Sequence, residues 1–178
     1  MKLLLLLSLF LTLSLFGASK DVSDEQLLVL NKVREIAKTI PDKNGETYED
    51  TMSAICLTES SAGQNIVGDY RKAKKLTKAS LGVMQVQIQT ARYIAAKIEE
   101  LRWVLALNDT QIMERLLSDT EFSARIATYY FVMLQNHREN YIHSISGYNG
   151  GMVNTPYYQR VMKNLEDVKE LIEEEKLS

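Results

Sequence analysis

Apolar residues recur every three or four positions along much of the chain, which is the spacing of amphipathic helices. The first such stretch, residues 24–40, predicts a helix that is stopped by Pro41. A loop over residues 41–47 follows, and a second predicted helix runs from near Thr47 to Glu59. The first half of the chain therefore begins as two helices joined by a polar loop.

The second half continues the same pattern, with candidate N-cap residues before each apolar stretch. The predicted helices and their caps are 90–107 (Thr90), a short helix ending at Leu117 (Asp109 or Thr110), about 121–135 (Asp119 or Thr120) and 157–175. The stretch 121–135 is apolar nearly all round, which predicts a helix at the centre of the domain. With no repeat and no internal linker, the chain is predicted to form one all-α domain.

The N-terminus has the pattern of a secretory signal peptide. Lys2 gives a positive start, residues 3–16 are apolar and uncharged, and Gly17-Ala18-Ser19 supply small residues for cleavage. An uncleaved anchor is the alternative, but a membrane-spanning helix needs about 20 apolar residues. We therefore predict a signal peptide over residues 1–19, a domain over 20–178, and a periplasmic or secreted protein with no membrane attachment after cleavage.

Composition excludes several function classes. The 178 residues carry a formal net charge of −2, which gives no broad basic face for nucleic acid. The single cysteine, Cys56, excludes an intramolecular disulfide and a cysteine-rich zinc site, and two histidines are few for a metal site. No glycine-rich phosphate loop is present. We expect no metal and no cofactor.

Glu59 occupies an unusual place in the pattern. Tyr48, Met52, Ile55 and Cys56 precede it by 11, 7, 4 and 3 residues, so all five share one helical face. A carboxyl group on an apolar face is expected to have a raised pKa, as a general acid requires. The alternatives are a buried Glu satisfied by a partner, or a Glu left exposed because the helix ends one turn earlier.

Three segments combine small polar residues with glycine, and they are separated by predicted helices. They are residues 59–63 (ESSAG), 80–85 (SLGVMQ) and 146–151 (SGYNGG). Tyr supplies nine of the aromatic residues, against four Phe and one Trp, and it offers a sugar both a flat face and a hydroxyl. Each segment alone fits an ordinary loop, but together with Glu59 they predict a groove for a polar polymer.

These motifs resemble the lytic transglycosylases of the soluble (SLT) type, which share the lysozyme-like fold. The resemblance covers roughly residues 47–163, in the family's order. It is carried by Glu59-Ser60 (Glu-Ser), Gly82-Val83-Met84-Gln85 (Gly-Leu-Met-Gln), Tyr148-Asn149-Gly150 (Ala-Tyr-Asn-Ala-Gly) and Tyr157 to Val161 (Tyr-Val-x-x-Val).

The resemblance implies an enzyme that cleaves peptidoglycan between N-acetylmuramic acid and N-acetylglucosamine. Glu59 would act first as general acid and then as base, and the product would carry a 1,6-anhydro end. Tyr148 is the expected hydrogen-bond partner of Glu59. The residues expected to hold the sugar are Ser60, Met84, Gln85, Tyr148, Asn149 and Tyr157.

The chain also departs from the family pattern. No acidic residue precedes the terminal Tyr in residues 153–156, and a basic segment at 71–78 lengthens the connection after Glu59. That segment is interpreted either as a solvated loop or as a contact for anionic peptide stems. The run around Asp69 resembles goose-type lysozymes, so Asp69 is either a second carboxylate or a loop cap.

Two rival functions therefore stay open: a hydrolysing lysozyme on the same scaffold, and a non-catalytic cell-wall-binding scaffold. Small size without a binding module favours an enzyme recruited by a secretion or motility assembly. Cys56 is interpreted as core packing, and Trp103 as either core or groove wall.

Overall fold

A computed structural model describes residues 22–68 and 75–178. The α-helices in these ranges are α1 (Asp24–Ala37), α2 (Glu49–Ser60), α3 (Ile88–Ala95), α4 (Asp109–Ser118), α5 (Thr120–Arg138), α6 (Tyr141–Tyr148) and α7 (Thr155–Glu173). Leu76–Lys78 and Glu99–Ala106 form 3₁₀ helices. Two short strands, β1 (Val67–Gly68) and β2 (Ser80–Leu81), pair antiparallel with Val67 opposite Leu81. The predicted all-α class is confirmed.

Helix α2 is largely buried by two neighbouring helices. It packs against α1 on one side and α7 on the other, while α1 also packs against α5. Residues 51–57 of α2 are all buried, and Met52 and Ile55 are fully inaccessible to solvent. Because α2 is held on several sides, its last turn, which carries Glu59, has a fixed position in the domain.

The first helix ends earlier than predicted. Its N-terminus has a capping box, in which the Ser23 hydroxyl accepts from the Gln26 amide and the Gln26 side chain accepts from the Ser23 amide. The helix ends at Ala37, three residues short of the predicted Ile40. Because the residue before a proline avoids the helical conformation, Pro41 also keeps Ile40 out of the helix.

The predicted helix 90–107 is wrong as a single element. It consists of α3 and, after a turn, the 3₁₀ helix Glu99–Ala106. Thr90 lies inside α3, whose N-cap is Gln87. Leu101 and Val104 are buried three residues apart, which is the repeat of a 3₁₀ helix, whereas Leu105 on the expected stripe is 45% exposed.

The N-caps of α4 and α5 differ in how well they were predicted. Helix α4 is capped by Asn108, neither Asp109 nor Thr110, because Asn108 forms a reciprocal capping box with Gln111. Asp119 caps α5 as predicted, accepting from the Phe122 amide at 2.9 Å.

Helix α6 is absent from the sequence prediction, which assigned residues 146–151 to a loop. Asn140 caps it by accepting from the His143 amide, and the helix includes the first half of that loop, through Tyr148. The turn begins only at Asn149.

Several predictions fall on residues outside the described ranges. These are the signal peptide over 1–19, Asp69, and most of the basic segment, namely Arg71, Lys72 and Lys74. Among the residues that the structure does describe, no helix is both long and apolar enough to span a membrane.

Candidate active site

Glu59 lies in the last turn of α2 and faces a cleft of about 440 Å³. Its side chain is half-buried, between the fully exposed and fully buried alternatives. Helix α2 ends directly after it, since Ser61 adopts a left-handed conformation with φ 52°. The cleft is lined by Glu59, Gly68, Ser80, Gln85, Val86, Gln87, Gln89, Thr90, Tyr130, Tyr148, Asn149 and Gly150. Glu59 is the single carboxylate among these described lining residues.

Ser60 fixes the end of α2 but does not reach the cleft. Its hydroxyl donates to the Val83 carbonyl at 2.7 Å and accepts from the Gly63 amide at 2.8 Å. The residue, one of those expected to hold the sugar, is 1% exposed. Ser60 instead joins the helix that carries Glu59 to the segment that follows Gly82.

The segment 82–85 makes a tight turn beside Glu59. Gly82 has φ 73°, and a Cβ there would lie 2.9 Å from the Leu116 carbonyl carbon, so glycine is required. The Gln85 amide group donates to the Gly82 carbonyl at 2.9 Å and to the Asn65 carbonyl at 3.1 Å. These bonds hold Gln85 at the cleft.

Met84 serves the cleft through its backbone. Its side chain, which was expected to hold the sugar, is fully buried. Its carbonyl accepts a hydrogen bond from the Tyr148 hydroxyl at 2.9 Å. That bond connects the turn at Gly82 to the end of α6.

Tyr157, in the first turn of α7, donates its hydroxyl proton to Glu59 Oε1 at 2.6 Å. Tyr148 was the predicted partner, but the single proton of its hydroxyl goes to the Met84 carbonyl. Tyr157 is 1% exposed, so it is placed to orient Glu59 and not to stack on a sugar. The resemblance pointed to both tyrosines, and a hydrogen bond in the structure joins Glu59 to Tyr157, whereas Tyr148 was the expected partner.

Burial, followed by the nearby charge of Glu59, raises the pKa of Tyr148 well above its usual value. The same two causes, with the hydrogen bond to Glu59, raise the pKa of Tyr157. Both phenols therefore stay neutral donors near neutral pH. Burial also raises the pKa of the Cys56 thiol to about 12, which keeps it protonated and supports its interpretation as core packing.

The opposite side of the cleft comes from the end of α6. Asn149 and Gly150 line it, and Gly150 has φ 89°. Asn149 Oδ1 accepts from the Asn154 side chain at 3.0 Å, and Asn154 caps α7 by accepting from the Tyr157 amide at 3.2 Å. A short chain of hydrogen bonds thus joins Asn149 to the helix turn that carries Tyr157.

Several lining residues were not predicted. Gln87 and Gln89 are two of them. Together with the predicted Gln85 they occur at every second position, and the amide group of Gln89 donates to Gln87 Oε1 at 2.6 Å. This alternation was a usable signal. Tyr130 was assigned to the helix core, yet its ring lies 5.7 Å from that of Tyr148 at the cleft.

Trp103 lies away from these residues, in a second depression. It is 44% exposed, packs on Phe122 at 5.7 Å and has the Arg115 guanidinium 4.9 Å from its ring centre. Within the described residues, no group of three or more His, Cys, Asp or Glu side chains is placed to hold a metal ion.

Comparison with known proteins identifies the family. Searches against curated proteins and against solved structures gave no significant match. The family model described as "Transglycosylase SLT domain" matches residues 40–170, which is well over half of the chain. The match contains every residue of the cleft described above. The chain therefore belongs to the transglycosylase SLT domain family.

Proposed function

We propose that this protein is an exported peptidoglycan lytic transglycosylase, with Glu59 as its general acid and base. The bond cleaved is the β-1,4 link from N-acetylmuramic acid to N-acetylglucosamine, and the new end is a 1,6-anhydro sugar. The observation that carries the proposal is the half-buried Glu59 carboxylate, bonded to Tyr157 at 2.6 Å inside a polar cleft. The family match supports the same substrate.

The reaction balances without water. Protonated Glu59 gives its proton to the glycosidic oxygen, and the bond from that oxygen to C1 of the muramic residue breaks. The acetamido oxygen of the same sugar stabilises the positive charge at C1. The C6 hydroxyl then bonds to C1 and returns its proton to the Glu59 carboxylate. The attacking group is part of the substrate, so high effective concentration replaces a protein nucleophile.

The arrangement around Glu59 supports this one-carboxylate route. Glycoside hydrolysis generally uses two carboxyl groups on opposite sides of the bond. Among the described residues that line the cleft, Glu59 is the one carboxylate, and Asp69, the other candidate from the sequence, lies outside the described residues. Tyr157 and Tyr148, held neutral by burial, supply proton donors without becoming competing bases.

The test is replacement of Glu59 by Gln, which keeps the size and removes the transferable proton. We expect release of soluble fragments from purified sacculi to fall at least about a hundredfold, the order of losing a general acid. The matched control is Glu173→Gln, an exposed position at the end of α7. Unchanged activity in Glu59→Gln would overturn the role of Glu59, and absence of activity in the parent would favour the non-catalytic scaffold.

Export to the periplasm or the medium fits this substrate, which lies outside the cytoplasm. Recruitment by a secretion or motility assembly stays a prediction from the sequence.

A further inference from the structure

Arg138 is the last residue of α5 and binds the segment that forms one side of the cleft. Its Nη1 donates to the carbonyls of His143, in the first turn of α6, and of Gly151, beyond the end of α6, the latter at 2.9 Å. These two carbonyls flank the three residues that α6 and its turn present to the cleft, namely Tyr148, Asn149 and Gly150. One guanidinium group thus binds both ends of the segment 143–151.

Gly147 explains how the guanidinium reaches this place. The residue is buried within α6, and a Cβ there would lie 2.6 Å from Arg138 Cζ. Real Cβ atoms do not approach so closely, so glycine is needed here for contact with Arg138. The sequence predicted a loop over residues 146–151, but Gly147 lies inside the helix and has no positive φ.

Additional contacts hold the same segment. The Tyr130 hydroxyl donates to the Gly147 carbonyl at 3.3 Å, and the Gly151 amide donates to the Ser146 carbonyl at 3.1 Å. Arg138 differs from these because it binds both ends of the segment at once. A guanidinium has five donors in a rigid plane and keeps its charge at any relevant pH, so it suits two carbonyls better than lysine does.

We propose that Arg138 is a positioning residue for substrate binding, acting as a clasp that sets Tyr148, Asn149 and Gly150 against Glu59. This inference rests on the proposed function, since it assigns the substrate to the same cleft. The clasp sets where the sugar is held, while the proton of Glu59 is oriented by Tyr157. Loss of Arg138 should therefore weaken binding more than it slows the chemical step.

The first experiment measures KM and kcat of Arg138→Met on soluble, uncross-linked glycan strands. We expect KM to rise about tenfold or more, the scale of losing a charged hydrogen bond, with a smaller fall in kcat. A role in folding alone would lower the active fraction, which reduces kcat and leaves KM unchanged. The control is Arg125→Met on the same helix, because Arg125 pairs with Glu100 and Glu121 away from the cleft.

The second experiment is a double-mutant cycle with Gly147→Ala. In the parent, the added methyl group displaces the guanidinium, so KM should rise as it does in Arg138→Met. In the Arg138→Met background the guanidinium is gone, and the same methyl group should change KM less than twofold. Additive effects of the two substitutions would overturn the clasp.

A binding measurement separates failure of the clasp from failure of the proposed function. The probe is N-acetylglucosamine tetrasaccharide, titrated into the full chain and followed by NMR. If the parent cleaves nothing, the proposed function fails, and a tenfold weaker Kd in Arg138→Met still supports the clasp. Equal affinity of the parent and Arg138→Met, or no binding by the parent, overturns it.

Discussion

The cleft has two sides of different construction. The first wall is the end of α2 with the turn at residues 82–85, where Ser60 and Met84 are almost fully buried. The second wall is the chain from Tyr148 to Tyr157, which includes Met152 and Val153 at 67% and 61% exposure. One wall is part of the core, and the other is a surface segment held by polar contacts.

This difference separates two tasks. The first wall carries Glu59, and buried packing keeps that carboxylate in one place. The second wall carries Asn149. This wall is held by hydrogen bonds from side chains, such as the one from Asn154 to Asn149 and the one from Arg138 to the Gly151 carbonyl. Substitutions in the first wall should therefore lower stability, whereas substitutions in the second should change substrate affinity with little unfolding.

Gly82→Ala should give the largest loss of stability. The added Cβ meets the Leu116 backbone, and φ 73° is unfavourable for alanine, so we expect a loss of about 3 kcal/mol in the free energy of unfolding. Urea denaturation measures it. Gly45→Ala is the control, since Gly45 has φ 84° with open space around it. An equal loss in both variants would contradict close packing in the first wall.

Ser60→Ala and Asn149→Ala should have opposite effects on stability and on KM. Ser60→Ala removes a buried hydroxyl that donates to the Val83 carbonyl and accepts from the Gly63 amide, so it should cost about 1–3 kcal/mol of stability, with KM unchanged. Asn149→Ala changes an exposed residue and should stay within about 0.5 kcal/mol, while KM rises. Denaturation and kinetics on both variants decide this. The division between the walls fails if Ser60→Ala raises KM and Asn149→Ala does not.

Tyr157→Phe tests the residue that joins the walls, through stability at alkaline pH. The pKa of Tyr157 is raised in the folded state, so the folded protein keeps a proton that the unfolded chain loses above pH 10. The stability of the parent should therefore fall as pH rises. Relative to Tyr157→Phe, the extra fall between pH 9 and pH 11 should be about 1.4 kcal/mol.

The matched control for this titration is Tyr93→Phe, because Tyr93 is 49% exposed and meets water in both states. The stability of Tyr93→Phe should change with pH in the same way as that of the parent. If Tyr157→Phe also follows the parent, Tyr157 is not buried against Glu59 as the structure has it.

The sequence allowed correct predictions where the evidence lies within a single helix or a short segment. The position of Glu59 on an apolar face, the capping of α5 by Asp119 and the order of the glycine-containing segments all follow from local spacing. The 3₁₀ helix Glu99–Ala106 was mistaken for α-helix because the two periods diverge only slowly over a few residues.

Contacts between distant segments could not be predicted. Tyr148 and Tyr157 are both near Glu59, and only the packing of α7 on α2 decides which hydroxyl reaches the carboxylate. Likewise, Ser60 looks like a polar cleft residue in sequence, and its burial depends on the Val83 carbonyl from a separate segment.

The most direct measurement is the mass of the muropeptides released from sacculi by the parent protein in water labelled with a heavy oxygen isotope. A Glu59 carboxyl that serves an internal attack by the C6 hydroxyl predicts 1,6-anhydro ends that contain no isotope. Reducing ends that carry the heavy oxygen would mean that water is the nucleophile, and the one-carboxylate account would be contradicted.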